Sequence, residues 1–358
     1  MSTGGGAAHR LPSTMTAFVL DRTGVALREV PVPEAGSRQV LVEVQAAGLC
    51  HSDLHVMDRP AESHLFPLPV VLGHELAGRV VAVGSDADPS LLGVDVVGYG
   101  PRGCGECAEC RRGAVNYCRQ RPAGCFPPGL GADGALARYV VVPANGVLPR
   151  LGVDPGTAAV LSDAGLTALH AIRRALPHGG EGRRVVVIGV GGLGHLAVQL
   201  LRTLGAADVV AVDVGVDKLE LAQRLGAHAG LLAGPDVVEA VRGRTGGRGV
   251  DAVLDFVASA ETLRQAAGML ALDATLSIVG VSTARLPVGM RALPLGGRAD
   301  LPFWGGIDEL RELLDMAADG SLTAVIERIP LAEVADGYAR LREGSVSGRI
   351  VAEPREET

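Results

Sequence analysis

The sequence predicts an α/β plus β protein: a mostly β, barrel-like module first, then a unit of alternating strands and helices around a parallel sheet. Three observations predict it. Up to about residue 155 the chain is a run of short apolar stretches separated by Gly, Pro and Asp, with no long helical period. At Asp154-Pro155 the texture changes, and Gly156–Leu176 is helical in character. Beyond it β-branched strands and helical segments take turns, the order that covers both faces of a parallel sheet with helices. At 358 residues the chain is too long for one simple core, so two domains are expected.

Taken in order, residues 1–14 are small, polar and glycine-rich, which predicts a flexible extension, with Met15 as an alternative start. Val40, Val42, Val44 and Ala46 alternate with Leu41, Glu43 and Gln45, the period-2 pattern of a strand. Gly78–Gly84 and Val94–Tyr99 repeat that style. After Gly156–Leu176 the alternation runs through a strand at Arg184–Gly189, a helix from Leu193, a strand at Asp208–Asp213 and a helix at Val216–Gly226. A short strand at Leu231, a helix from Asp236, a strand at Val250–Val257, a helix at Ser259–Leu270 and a strand at Thr275–Gly280 follow. Beyond Trp304-Gly305-Gly306 comes an amphipathic helix, Ile307–Ala318. A strand near Ile326–Ile329, a helix through Tyr338 and a last strand at Ile350 close the chain, the tail returning to the first domain.

Composition narrows the function. A net charge of −7 gives no electrostatic footprint for nucleic acid. The longest apolar run, Val185–Leu201, is broken by glycines and His195, so no membrane span is expected. No basic, then apolar leader pattern opens the chain, so a soluble cytoplasmic protein is expected. Six cysteines in such a chain point to thiols and metal rather than disulfides. Of 33 basic residues only Lys218 is lysine, a bias that fits coding preference better than structure.

Chemistry-bearing residues gather at Cys50-His51-Ser52-Asp53-Leu54-His55 and at Gly73-His74-Glu75. Thiolate and imidazole are ligands zinc favours, and beside them stand a hydroxyl (Ser52), two acids (Asp53, Glu75) and a second imidazole (His55). A second group, Cys104, Cys107, Cys110 and Cys118, puts four thiols within fifteen residues. Four thiolates fill a tetrahedral shell, so zinc here would be structural; an iron–sulfur cluster uses similar spacing and ranks below it. Cys125 has no partner pattern and reads as a packed thiol.

The nucleotide signal is Gly189-Val190-Gly191-Gly192-Leu193-Gly194, between a buried-strand pattern and a helix. Such glycines let backbone approach a pyrophosphate at a helix N-terminus. A second strand ends in Asp213, 24 residues past Gly189, where a carboxylate suits ribose hydroxyls and repels a 2′-phosphate. No arginine follows in Val214-Gly215-Val216, so NAD is expected over NADP. Lys218 lies on the same turn, within reach of that ribose.

With these motifs quoted, the chain resembles the zinc-dependent medium-chain alcohol dehydrogenase family from Met15 to about Glu353. The resemblance implies a GroES-like catalytic domain (15–163 and 306–358) interrupted by a Rossmann domain (164–305). It also implies two zincs per chain, and small-molecule alcohols and ketones as substrates. A homo-oligomer is implied too, a dimer or, as in many members, a homotetramer. Much of the family has a cysteine as third catalytic ligand just before the Rossmann domain. Here Leu161-Ser162-Asp163-Ala164-Gly165-Leu166-Thr167 offers Asp163, similar to a bacterial subgroup of NAD-dependent secondary-alcohol dehydrogenases, which Leu301-Pro302-Phe303-Trp304-Gly305 also fits. The alternative is that Asp163 only caps a helix beginning at Gly165.

The resemblance further implies that Ser52 takes the alcohol proton and passes it, by way of the cofactor ribose, to His55 and solvent. Asp53 orients His74, Glu75 sits behind the metal, and His51 touches the pyrophosphate. Phe66, Tyr99, Phe303 and Trp304, among only ten aromatic residues, are candidate walls of an apolar pocket. His64, His170, His178, His195 and His228 read as ordinary packed or surface histidines. Two other readings stand beside this one: a zinc-free quinone or enoyl reductase, which would lack both cysteine groups, and a non-enzymatic NAD(H)-binding sensor.

Overall fold

The computed structural model describes residues 11–289 and 291–354. Its first part is a barrel-like β module. Strands β1 (Thr14–Asp21) and β2 (Gly24–Pro31) form a hairpin, and β3 (Gln39–Gly48) is the spine of the main sheet. Helix α1 (His51–Met57) follows it, then β4 (Val70–Val71), β5 (Glu75–Val83) and β6 (Asp95–Gly98). A loop with the short helix α2 (Ala108–Arg111) leads to β7 (Tyr139–Pro143) and β8 (Val147–Pro149).

The expected strand at Val40–Ala46 is there, but its alternation is not a buried face against a wet one. Val40, Val42 and Val44 are fully buried, and so is Leu41. Leu41 packs on the other side with Met15, Ala17, Val19 and Tyr139, because the hairpin closes over that face. The extension is shorter than expected: Thr14 already pairs with Pro31, and the Ser13 carbonyl accepts from Val32 N–H at 3.1 Å. Residues 1–10 lie outside the described residues. Met15 is an interior residue of β1, its sulfur receiving the Tyr139 N–H.

The second part is built from α3 (Pro155–Val160), α4 (Leu166–Ala175), β9 (Arg184–Ile188), α5 (Gly194–Thr203), β10 (Asp208–Asp213) and α6 (Val216–Arg224). It continues through β11 (Ala229–Leu232), α7 (Val237–Arg244), β12 (Val250–Asp255), α8 (Ala260–Met269), β13 (Leu270–Ile278) and β14 (Arg298–Asp300). The six strands are parallel in the order β11-β10-β9-β12-β13-β14, a doubly wound sheet. Its strands β9, β10 and β12 lie where the apolar runs placed them, while β13 starts at Leu270, five residues before the expected Thr275. The edge strand β14 is Arg-Ala-Asp, too short and polar to show a strand pattern.

The chain closes with α9 (Ile307–Ala318), β15 (Ile326–Pro330), α10 (Val334–Arg342) and β16 (Arg349–Glu353). β16 pairs with β15 on one side and antiparallel with β3 on the other, so the tail completes the first sheet. One apolar cluster runs from Ala46 and Val97 through Leu161 and Leu169 to Val187 and Leu196, joining the two sheets. Each leucine fully buried in that seam contributes about 1.5–3 kcal/mol. Among the described residues no helix is long and apolar enough to cross a membrane.

Candidate active site and metal centres

Three side chains able to ligate a metal, far apart in sequence, meet where β3, β5 and the α3–α4 segment converge. Cys50 follows β3 and precedes α1, His74 precedes β5, and Asp163 lies between α3 and α4. Residues Leu161–Gly165 form a π-turn inside one continuous helical run, a widening that recurs where a helix must aim a side chain. Asp163 therefore stands mid-helix and is no N-cap, which removes the capping alternative. The Cys50 sulfur is 3.8 Å from Asp163 Oδ2, and His74 Nε2 is 3.4 Å from the same oxygen. Ligands about 2.3 Å (sulfur) and 2.0–2.2 Å (nitrogen, oxygen) from a tetrahedral zinc stand about 3.6 and 3.4 Å apart, so the spacings fit.

The donor set also asks for a cation. His74 Nε2 is buried with no hydrogen-bond partner, the atom a metal would occupy. Burial depresses the proton affinity of His74, but the Asp53 charge and the acceptor atoms of Asp163, Asp53 and Cys50 around the ring lift it well above the usual range. Burial pushes the Cys50 thiol up, and the Arg349 charge and a hydrogen bond from His74 more than reverse that.

Around these ligands is a second layer of contacts. His74 Nδ1 is 2.9 Å from Asp53 Oδ1; a carboxylate can only accept, so Nδ1 carries the proton and Nε2 is free for a metal. The other Asp53 oxygen accepts from the Cys50 N–H at 3.1 Å and from the Tyr338 hydroxyl at 2.7 Å. Glu75, fully buried, is ion-paired with Arg349. A Cβ on Gly48 would fall 1.6 Å from Glu75 Oε2, so only glycine leaves room for that carboxylate. Ser52 is half-buried with Oγ 3.6 Å from the Cys50 sulfur, and His51 and His55 are exposed on α1.

The four cysteines of the α2 loop form a second cluster, with Cys104–Cys110 and Cys107–Cys118 sulfurs 3.9 and 3.8 Å apart. Thiolates 2.3 Å from one tetrahedral zinc lie about 3.8 Å from each other, so the cluster fits a single ion rather than a multi-iron cage. Backbone N–H groups of Cys104, Glu106, Cys107 and Cys110 point at the sulfurs. Burial and its neighbouring thiols push Cys110 up to about 12, while the Cys104 N–H pulls Cys118 down. Cys125 is a free, half-buried thiol outside the cluster.

The glycine loop joins β9 to α5. Gly189 has φ +87°, and a Cβ on Gly194 would fall 1.9 Å from the Gly189 carbonyl oxygen, so helix and strand approach only with glycine there. Gly191 has open space where its side chain would be. Gly192 faces Arg349, and Leu193 begins the helical turn. Asp213 Oδ2 accepts the Val190 N–H at 2.7 Å and Oδ1 the Gly215 N–H at 2.9 Å, so it shapes the loop and keeps lone pairs spare. Lys218 reaches across to the Gly344 carbonyl at 3.1 Å.

Of the aromatic candidates, Trp304 stands edge-on to His74 at 5.9 Å, and Phe303 edge-on to Trp304 at the same distance. Tyr99 is buried behind them, its hydroxyl donating to Gly305 O at 2.8 Å. Phe66 packs instead with His64 and Phe126.

The alcohol dehydrogenase GroES-like domain matches residues 36–152, and the zinc-binding dehydrogenase domain residues 192–319. An alcohol dehydrogenase of Moraxella sp. is 33% identical over 347 residues, 94% of this chain and 98% of that protein. The chain belongs to the zinc-dependent medium-chain alcohol dehydrogenase family. The crystal structure of the alcohol dehydrogenase of the archaeon Aeropyrum pernix matches with TM-score 0.87 at 32% identity, covering 95% of this chain and 100% of that one. Acetophenone reductase of Geotrichum candidum, solved with NAD, matches with TM-score 0.85 at 29% identity, over 96% and 98% of the two chains. As a medium-chain alcohol dehydrogenase the protein is an alcohol/ketone oxidoreductase that uses zinc and a nicotinamide cofactor on GroES-like and Rossmann folds.

Sequence reasoning missed three residues that this dehydrogenase site depends on. Arg349 and Tyr338 come from the tail and carry no local motif. His195, read as ordinary, is fully buried; burial depresses its pKa to about 4, against a hydrogen bond to the Gly191 carbonyl. Its Nδ1–H donates to that carbonyl and its Nε2 accepts from Val325 N–H, which fixes the tip of the glycine loop.

Tyr338→Phe removes one of the bonds that aim Asp53, hence His74. Metal retention against a competing chelator should weaken about tenfold with the fold intact. Unchanged retention would mean that Asp53 needs no help from α10.

Proposed function

We propose that this chain is a NAD-dependent dehydrogenase of secondary, and to a lesser degree primary, alcohols, with one catalytic and one structural zinc. The observation that carries the reading is the convergence of Cys50, His74 and Asp163 on one point. Two carbonyl-side features support it: the apolar wall of Phe303 and Trp304, and the match to an acetophenone reductase. A zinc held by Cys50, His74 and Asp163 would supply a Lewis acid for the alcohol oxygen, and a nicotinamide held at the glycine loop would supply the hydride acceptor. Thiolate, carboxylate and neutral imidazole from these three residues would balance the charge of a dication.

The chain's own residues do the rest. Asp53 keeps the His74 proton on Nδ1. Ser52 takes the alcohol proton at Oγ, and His55, on the same face of α1 three residues on, exchanges it with solvent. Glu75 lies behind the metal ligands and assists their exchange, and His51 at the start of α1 contacts the cofactor's pyrophosphate. The buried Nε of Arg349 has no partner and lies beside Gly192, a second donor for that pyrophosphate. Gly189, Gly191, Gly192, Leu193 and Gly194 make the cradle. Asp213 takes the ribose hydroxyls with its spare lone pairs, and Lys218 flanks it. Phe66 and Tyr99 bound the pocket further out. The domains divide at 163/164 and 305/306, and the enzyme works in the cytoplasm as a homo-oligomer, a dimer or tetramer.

NADH absorbance across 2-propanol, 1-phenylethanol, ethanol and a polyol tests the substrate class. Secondary alcohols should turn over best; activity confined to polyols would overturn the assignment.

Asp163→Ala should take zinc from about two per chain toward one and abolish turnover, since the four-cysteine site is independent. Asp163→Cys restores a ligand of equal charge and should retain the metal. Two zincs and normal turnover in Asp163→Ala would exclude Asp163 as a ligand.

Asp213→Gly with Val214→Arg removes the repulsion and adds a phosphate partner. The ratio of kcat/KM for NADP over NAD should rise; a wild type already preferring NADP would defeat this account of Asp213.

A further inference from the structure

Residues Phe303–Gly306 are pinned by side chains from several elements, and two of these belong to the four-cysteine lobe. Asn116 is 4% exposed and donates from Nδ2 to the Phe303 carbonyl at 2.7 Å. Tyr117 receives the Phe303 N–H on its hydroxyl oxygen at 3.2 Å. That hydroxyl lies 3.0 Å from His170 Nε2, and His170 Nδ1 lies 2.9 Å from Glu309 Oε2. A carboxylate only accepts, so the histidine proton sits on Nδ1 and Tyr117 donates to Nε2. The same Glu309 oxygen accepts the Gly306 N–H at 2.7 Å, which closes a ring of hydrogen bonds around the segment.

Two more bonds complete the hold. Tyr99 donates to Gly305 O at 2.8 Å, and Trp304 Nε1 donates to Ser162 O, next to Asp163, at 3.0 Å. Trp304 itself has φ +52°, a left-handed conformation that a bulky side chain keeps only when its surroundings dictate it. The contacts therefore set the position of this wall. The wall in turn faces the chemistry: Trp304 meets His74, and Phe303, 44% exposed, borders the open side.

We propose that Asn116 and Tyr117, with His170 behind them, are positioning residues that hold Phe303 and Trp304 against His74. The four-cysteine lobe is then a determinant of which alcohols the site accepts as well as a folding element, because Asn116 and Tyr117 directly precede its ligand Cys118. The proposal rests on the alcohol dehydrogenase reading above. It applies to apolar secondary alcohols whose larger substituent reaches the wall: an aryl group feels its position, and a methyl group does not reach it.

The chain holds one tryptophan, so its emission reports Trp304 directly. Asn116→Asp keeps the shape and loses the donor, and Tyr117→Phe keeps the ring and loses the hydroxyl. Both should retain the wild-type zinc content and red-shift the emission. Both should also change the kcat/KM ratio of 1-phenylethanol to 2-propanol about tenfold, the discrimination of roughly one pocket contact. The enantiomer ratio of 1-phenylethanol should move with it. Folded variants with unchanged emission and unchanged ratios overturn the proposal. If either variant fails to fold, His170→Phe, outside the lobe, should shift emission and ratio in the same direction, and no shift there overturns it equally. Wild type inactive on both alcohols would overturn the enzymatic reading instead, while the emission measurements still decide the positioning.

Discussion

The pairing of Arg349 with Glu75 is the constraint on which the rest of the molecule depends. Arg349 heads the largest fully buried side chains, and Glu75 has no exposed surface. Taking either charge out of water costs several kcal/mol unless the other is present. Burial alone would depress the proton affinity of Arg349, and the Glu75 carboxylate outweighs it. The pair ties the first residue of β16, across the end of β3, to the first residue of β5, and so anchors a C-terminal strand in a sheet begun by the first third of the chain. Gly48 must be glycine to admit Glu75, and Gly192 must be glycine to admit Arg349, since a Cβ there would sit 2.5 Å from its Cδ. One ion pair thus fixes the backbone of β3, the metal-ligand segment and the nucleotide loop relative to one another.

What the sequence made legible was what is local in the chain. Cys104 to Cys118 cluster within one loop, and Gly189 to Gly194 fold within one turn, so spacing alone displays them. Strands β9 and β10 are buried on both faces over Val185–Ile188 and Val209–Val212 and read there as unbroken apolar runs. Contacts across long separations left no such trace: Asp53 meets Tyr338 285 residues away, and Glu75 meets Arg349 274 residues away. Leu41 looked like the wet face of a strand because the hairpin that covers it is specified elsewhere. Ser13 and Thr14 looked like an extension because their partners, in backbone hydrogen bonds, need no particular side chain. Asp163 was legible only through resemblance, since no local rule announces a π-turn.

That π-turn explains how the Asp163 carboxylate comes to face Cys50 and His74. α3 and α4 are one helix in direction, and their apolar faces are committed to the seam between the sheets, with Leu161, Ala164 and Leu166 fully buried. A regular helix would have to choose between burying those residues and aiming Asp163 at His74. One widened turn permits both, and Thr167 Oγ1 steadies the free carboxylate oxygen at 3.4 Å. Ser162 uses its carbonyl in the same turn to hold Trp304, so Asp163 and Trp304 are indexed to the same few backbone atoms.

The tail makes that indexing common to both halves of the molecule. β16 belongs to the first sheet, yet Gly344 receives Lys218, Ser347 donates to Asp217, and Val325 donates to His195, all on the nucleotide side. Gln199 adds bonds to Thr323 in both directions. His195 serves this link only while neutral, because its Nε2 must accept while its Nδ1–H donates to Gly191, and burial keeps it so. Hydride transfer demands that a carbon held by one half lie against a ring held by the other, with a tolerance of a fraction of an ångström. A C-terminal segment bonded to both halves, with a buried charge pair at the first residue of its last strand, meets that demand by making the two sites parts of one framework.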